Sequence, residues 1–350
     1  MYQKAVQSIY QEERNAGNAY RAKYCKSISA LIADKKEEAR QERDLYAGEI
    51  AQNREACRET FKRTLGWPLT LPAQRGIPRT KQTEIFADAK VRICRMQFEI
   101  FPNFWFYGLR FEHLNAGKLP LVISQHGGLG TPELCSSFFG SANYNDMTLR
   151  IFQKGVNVFA PQLLLWKEGD FGEDSHRAEI DNDLRRLGGS IAALEIHCLS
   201  RCLDWLETWE GCNGTFGMIG LSYGGFYALY TAAVDVRIRA ALDCSFFQDG
   251  THCFGNDFAW FDCARRFFDA EVGALVYPRA LRIEVGNADE DRCVYGAQEE
   301  FSRLERYYAG ARDNLSFVLF DGGHEFCPEG DVGIEWILKR LKYIIFARVA

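Results

Sequence analysis

The chain has no long apolar run, no basic block and no C-x-x-C pair, and its 350 residues include only six histidines, four methionines and nine prolines. Each shortage excludes something. No run approaches the ~20 apolar residues that a membrane-spanning helix needs. The opening stretch MYQKAVQSIYQEERNAGNAY is too polar for a secretory leader. The net charge is −5 and the positive residues are dispersed, so neither nucleic acid nor an anionic membrane is expected as a partner. Twelve cysteines are scattered along the chain. Cys198 and Cys202, four apart in a predicted helix beside His197, form the one pattern with metal-ligand spacing. Buried thiols in a reducing compartment explain the same pattern, so no metal is expected and the cysteine usage favours the cytoplasm.

A hydrophobic fraction of 47% and a charged fraction of 25% belong to an ordinary globular protein whose core needs no disulfide staples. The length suits one large domain with an accessory segment. Residues 1–65 are rich in Glu, Lys, Arg, Gln and Ala, and read as an N-terminal helical extension with a break at Ala16-Gly17-Asn18. Tyr20, Tyr24, Ile28, Leu31 and Ile32 recur at helical spacing, giving a face that packs on the main domain or on another subunit, or else a solvated helix clamped to the body. A homo-oligomer through this helix is therefore one expectation.

Residues 66–350 have a different texture. KVRICRMQFEI and FWFYGLRFEHLN alternate apolar and polar residues around FPN, and predict two antiparallel strands joined by a turn. LPLVISQ, GVNVFAPQL, GTFGMIGLS, IRAALDCSFF, ALRIEVGNAD and LSFVLFDGG follow as apolar strand candidates, with helical segments between several of them. Strands alternating with helices after an antiparallel start predict an α/β fold with a mostly parallel central sheet covered on both faces. Ligand sites in such sheets lie at the C-terminal ends of the strands.

One of those ends carries FGMIGLSYGGFYALY, where Gly220, Ser222 and Gly224 make a G-x-S-x-G pattern at a strand-to-helix turn. A lone match means little, but this context is the one in which a strained turn exposes a serine nucleophile. The alternative is an incidental serine in a glycine-rich turn. Serine needs an adjacent base. Of the six histidines only His252 and His324 follow Ser222. His252 leaves no room for an acid-bearing strand before it, whereas His324 stands in DGGHEF just after the last apolar strand. Asp289 ends the preceding strand and is the candidate acid, with Asp291 as its rival. SQHGG at 124–128 follows a buried strand, so the backbone N–H groups of Gly128 and Tyr223 are candidate oxyanion donors, and His126 is read as a structural residue of that loop.

With these motifs in place the chain resembles the α/β-hydrolase family. GLSYGG, VGNAD and GGHEF resemble the elbow, acid turn and histidine ending of its bacterial dienelactone hydrolase-like and acetyl xylan esterase-like branch, and RETFKRTLGWPL resembles that branch's approach to the fold. The resemblance spans roughly residues 55–345 and favours Asp289 over Asp291. It implies a serine carboxylesterase acting on a small-molecule ester, with no cofactor, and an acetyl or other small acyl group on a sugar or small alcohol. A peptidase or amidase on short substrates is the alternative, and a non-catalytic ligand-binding homologue a third. Phe246, Phe247 and Trp260 lie in an aromatic-rich stretch that either walls the acyl pocket or packs under helices.

Overall fold

The computed structural model describes residues 12–72, 76–140, 143–166, 173–250, 256–290 and 294–342. Helix α1 (Asn18–Gln52) and helix α2 (Arg54–Leu65) precede three strands, β1 (Arg79–Ala87), β2 (Val91–Phe101) and β3 (Phe104–His113). Then follow β4 (Leu119–Gln125), α3 (Pro132–Cys135), α4 (Met147–Gln153), β5 (Asn157–Pro161), α5 (Arg177–Arg186) and α6 (Ile191–Leu206). The second half runs β6 (Cys212–Leu221), α7 (Tyr223–Val234), β7 (Ile238–Cys244), α8 (Asp269–Val276), β8 (Ala280–Gly286), α9 (Val294–Tyr307), β9 (Leu315–Phe320) and α10 (Val332–Lys342).

The strands form one nine-stranded sheet in the order β1-β2-β3-β5-β4-β6-β7-β8-β9. The β1-β2-β3-β5 pairings are antiparallel and all others parallel. The central strands are buried along their length because helices cover both faces: β5 and β8 have every residue buried. One core holds Phe98, Phe159, Phe216 and Met218 beneath α6 and α7, while the other packs Val122, Val158, Ile219 and Leu242 against α4 and α10.

The expected extension is not a separate body. Residues 18–38 of α1 are exposed throughout, but Ala39, Arg43, Tyr46 and Ile50 are buried, as are Cys57, Phe61 and Leu65 of α2. Tyr46 packs edge-on to Phe267 with centroids 5.6 Å apart. Arg43 reaches Glu271 on α8 at 3.1 Å and Glu300 on α9 at 2.9 Å, all three side chains buried. Burial and the neighbouring Glu271 charge push the Glu300 carboxyl up to about 8. The boundary at residue 65 therefore divides a shared core. The tyrosine-isoleucine stripe does not pack on the domain: Tyr20, Tyr24, Leu31 and Ile32 are 79%, 69%, 58% and 50% exposed.

Phe61 is the centre of the α2 contact, 5.0 Å from the Phe267 ring and 5.5 Å from that of Tyr230. Phe61→Ala is expected to lower the unfolding free energy by about 3–5 kcal/mol, read as a shifted urea midpoint. A midpoint equal to wild type would mean that α2 is not part of the folding unit.

Candidate active site

Ser222 stands at the C-terminal end of β6, directly before α7, and its backbone has φ 58° and ψ −122°. A non-glycine residue avoids this region at a cost of about 1–3 kcal/mol. The neighbouring glycines make the turn possible. A Cβ at Gly220 would lie 2.1 Å from the Gly224 carbonyl oxygen, and one at Gly224 would lie 2.1 Å from that of Gln125. The Ser222 N–H donates to the Cys244 carbonyl at 2.8 Å, tying the turn to the end of β7.

Asp289 and His324 come together on the turns after β8 and β9. The Asn287 N–H donates to the Phe320 carbonyl and the Ala288 N–H to that of Gly322, both at 2.9 Å. The turns are so close that a Cβ on Gly286 would meet the Gly323 carbonyl oxygen at 2.2 Å. His324 Nδ1 lies 3.1 and 3.0 Å from the two Asp289 carboxylate oxygens. The Asp289 carboxylate is fully buried and the imidazole is one-fifth exposed. With Nδ1–H donating to the carboxylate, Nε2 is the ring's acceptor. The three elements share the C-terminal edge of the sheet. Asp291 and His252 lie outside the described residues.

The loop after β4 lies against Ser222. A Cβ on Gly127 would be 3.0 Å from Ser222 Cβ, and one on Gly128 would be 3.5 Å from the Tyr223 ring. His126 is fully buried. Its Nδ1 sits 2.9 Å from the Gly127 carbonyl, and its Nε2 accepts the Leu163 N–H at 3.0 Å. These two bonds require a neutral ring, and burial draws its pKa down from 6.5 to about 4. His126 holds the loop in shape, as a structural residue does.

Sequence reasoning missed the supports around Tyr223. Arg177 donates to Glu195 at 2.9 Å, to Asp257 at 2.7 Å and to the Tyr227 hydroxyl at 2.9 Å, and its guanidinium lies 5.2 Å from the Tyr223 ring centroid. Glu195 also accepts the Leu164 N–H at 2.8 Å, so one buried cluster braces α6, α7 and the Leu163–Leu164 strand exit that holds His126. No sequence spacing marks these contacts, which join residues up to 80 apart.

Phe246, Phe247 and Trp260 are core residues rather than pocket walls. Phe246 is buried among Phe226 and Phe258, and Trp260 stacks on Phe226 at 6.0 Å. A cavity of about 690 Å³ instead opens beside the Gly127–Thr131 loop, lined by Tyr107, Leu134, Phe139, Gln162 and Trp166 with the Arg95–Glu133 pair at its rim. Gln162 Nε2 is 3.2 Å from His126 Nε2, linking cavity to loop. Trp166 belongs to the stretch at 163–179, whose mixed polarity reads from sequence either as a rim of the site or as a long surface loop. Among the described residues no group of three or more His, Cys, Asp or Glu is placed to hold a metal, and no helix is long and apolar enough to cross a membrane. Cys198 and Cys202 are buried thiols whose pKa values burial raises.

Comparison with solved structures decides the architecture. A glucuronoyl esterase from Solibacter usitatus superposes with a TM-score of 0.59 at 13% identity, covering 81% of this chain and 92% of that one. Acetyl Xylan Esterase 1 from Thermoanaerobacterium sp. JW/SL YS485 gives 0.56 at 14% identity, with the same two coverages. The chain has the α/β-hydrolase fold. Within this fold, residues 191–268 match the profile of the X-Pro dipeptidyl-peptidase (S15 family). That stretch contains the Ser222 elbow but is less than half of the chain. A Bacillus subtilis protein named "Putative hydrolase YtaP" is 27% identical over 228 residues, 59% of this chain and 74% of its own length.

The His126 environment makes a prediction about pH. Its folded pKa lies below the unfolded value, so between pH 6.5 and 4 the unfolded chain binds the extra proton, and stability falls as pH drops through that window. The full loss is about 3 kcal/mol. Urea unfolding of wild type and His126→Gln across this range is expected to show a shallower decline in the variant. Parallel curves would show that His126 is not held neutral.

Proposed function

We propose that this α/β-hydrolase is a serine hydrolase, a carboxylesterase that cleaves small-acyl esters of a sugar or small alcohol through an acyl-enzyme. The observation that carries the reading is the buried Asp289 carboxylate 3.0 Å from His324 Nδ1, on the sheet edge that also presents the strained Ser222 turn. Ser222 Oγ attacks the ester carbonyl carbon while His324 Nε2 takes its proton. Asp289 stays ionised, fixes the imidazole tautomer and stabilises the imidazolium. The N–H groups of Gly128 and Tyr223 receive the developing oxyanion. The C–O bond then breaks and His324 returns the proton to the departing alcohol. Water, deprotonated by His324, attacks the acyl carbon; the bond to Ser222 Oγ breaks, His324 returns the proton to Oγ, and the acid is released. The ester specificity draws support from the acetyl xylan and glucuronoyl esterases that share the fold. The S15 profile over residues 191–268 favours the second reading, a peptidase or amidase on short substrates. The buried thiols suit a reducing, cytoplasmic setting.

A fluorophosphonate probe is expected to label wild type and leave Ser222→Ala unlabelled, and folded wild type that resists the probe would end the hydrolase reading. Asp289→Asn is expected to lower kcat by about 10⁴, with Asp291→Asn close to wild type; the reverse order would reassign the acid. Turnover of p-nitrophenyl acyl esters against aminoacyl p-nitroanilides separates esterase from peptidase.

We also propose that a second copy of this chain covers the exposed stripe of α1. Residues 18–33 carry Arg21, Lys23 and Lys26 and no acid, whereas over 34–40 Asp34, Glu37 and Glu38 are balanced by Lys35, Lys36 and Arg40. A two-fold antiparallel pairing would lay the exposed Tyr20, Tyr24, Leu31 and Ile32 of each copy against those of its partner. Light scattering is expected to give a dimer for wild type and a monomer for Tyr24→Glu/Leu31→Glu. A wild type that stays monomeric at its highest soluble concentration would remove the proposal.

A further inference from the structure

The opposite end of the sheet holds a second concavity that the hydrolase chemistry does not use. It encloses about 730 Å³ where β7 and β8 begin, β9 is entered and α10 ends. Four cations line it, Arg239, Arg279, Lys339 and Arg340, against one carboxylate, Asp313, with the Asn314 side chain alongside. The seven residues of β7 separate it from the Ser222 turn by about 20 Å.

Three shielded or part-buried arginines elsewhere in the chain each sit between two carboxylates. Arg43 has Glu271 and Glu300, Arg177 has Glu195 and Asp257, and Arg237 has Asp204 and Asp235. Here the pattern fails. Arg279 donates to the backbone carbonyls of Asp235, Ile238 and Leu275. Arg340 stacks 3.3 Å over the Trp336 ring and donates to the carbonyls of Trp336 and Asp313, while its buried Nε has no hydrogen-bond partner. Among the described residues none of the four cations forms a salt bridge. Carbonyls and an indole fix a guanidinium in place without cancelling its charge. Arg282, at the back of the cluster, is already paired with Glu284 at 2.6 Å. Burial and the positive charges of Arg58 and Arg239 draw Arg279 down to about 10, and burial with the Arg282 charge lowers Arg340. The cluster thus repels itself, in a protein whose net charge is −5.

We propose that this concavity is a binding site for a small phosphate-bearing molecule, separate from the Ser222 site. Planar guanidinium forks match phosphate oxygens, and the volume lies in the range of small-ligand pockets, leaving room for an organic moiety beyond the phosphate. The charge sits in one pocket rather than along a stripe, which suits a compact anion and not a nucleic-acid backbone. The occupant's charge supplies the neutralisation that carboxylates give Arg43, Arg177 and Arg237.

Inorganic pyrophosphate serves as the probe, titrated calorimetrically into the full-length protein at constant ionic strength set with sodium chloride. One saturable site is expected. Arg239 and Lys339 are exposed, so Arg239→Gln/Lys339→Gln is expected to keep the wild-type melting temperature and its ester turnover. Its affinity is expected to drop at least about tenfold, as befits two lost charged hydrogen bonds. Ser222→Ala is expected to bind pyrophosphate as wild type does, which keeps this test independent of the hydrolase reading. Absence of saturable binding, equal affinity in the folded double variant, or loss of binding in Ser222→Ala would each overturn the proposal.

Discussion

The structure turns on one backbone conformation, the positive φ of Ser222 between β6 and α7. A strained residue persists only where its surroundings over-determine it. Here β6 is an interior strand, paired in parallel on both sides, and α7 is buried along almost its whole length. The bare faces of Gly220 and Gly224 let strand, helix and the loop after β4 meet within contact distance. The long apolar core is thus the anchor that holds one short side chain at the rim of the sheet.

The remaining groups reach that rim by a different route. Asp289 and His324 sit on turns without helical or strand geometry, and two backbone hydrogen bonds between those turns hold them in register. The loop after β4 is kept in shape from below by a buried neutral imidazole and by the ion-paired cluster of Arg177 and Glu195. Precise placement on irregular backbone comes from buried polar contacts whose cost of breakage is high.

Much of this was legible in the sequence because its elements are buried. LPLVISQ is β4 to the residue, and the apolar runs that follow are β5 to β8, since a strand covered on both faces shows itself as continuous hydrophobicity, while the edge strand β9 showed as an apolar run although only Phe320 in it is buried. β1 escaped because its residues Arg79–Ala87 lie at an edge, almost all exposed, and an edge strand has no buried face to pattern. Ser222, Asp289 and His324 stood out as candidates because glycines and strand ends punctuate them. Arg95 beside the cavity did not, since a cavity is an arrangement of segments distant in sequence. Phe246, Phe247 and Trp260 show the converse: aromatic density marks volume to be filled, and here it fills the space under α7.

The Arg43 contact with Glu271 and Glu300 has a consequence for how this chain can vary. Two glutamates buried beneath α8 and α9 owe their tolerability to cations, one of which arrives from the first helix. A descendant could not shed that helix as a dispensable appendage, because the carboxylates left behind would be stranded in a low-dielectric interior. Loss of the helix and replacement of both glutamates would have to travel together, so the segment with the plainest composition is tied by inheritance to the middle of the fold.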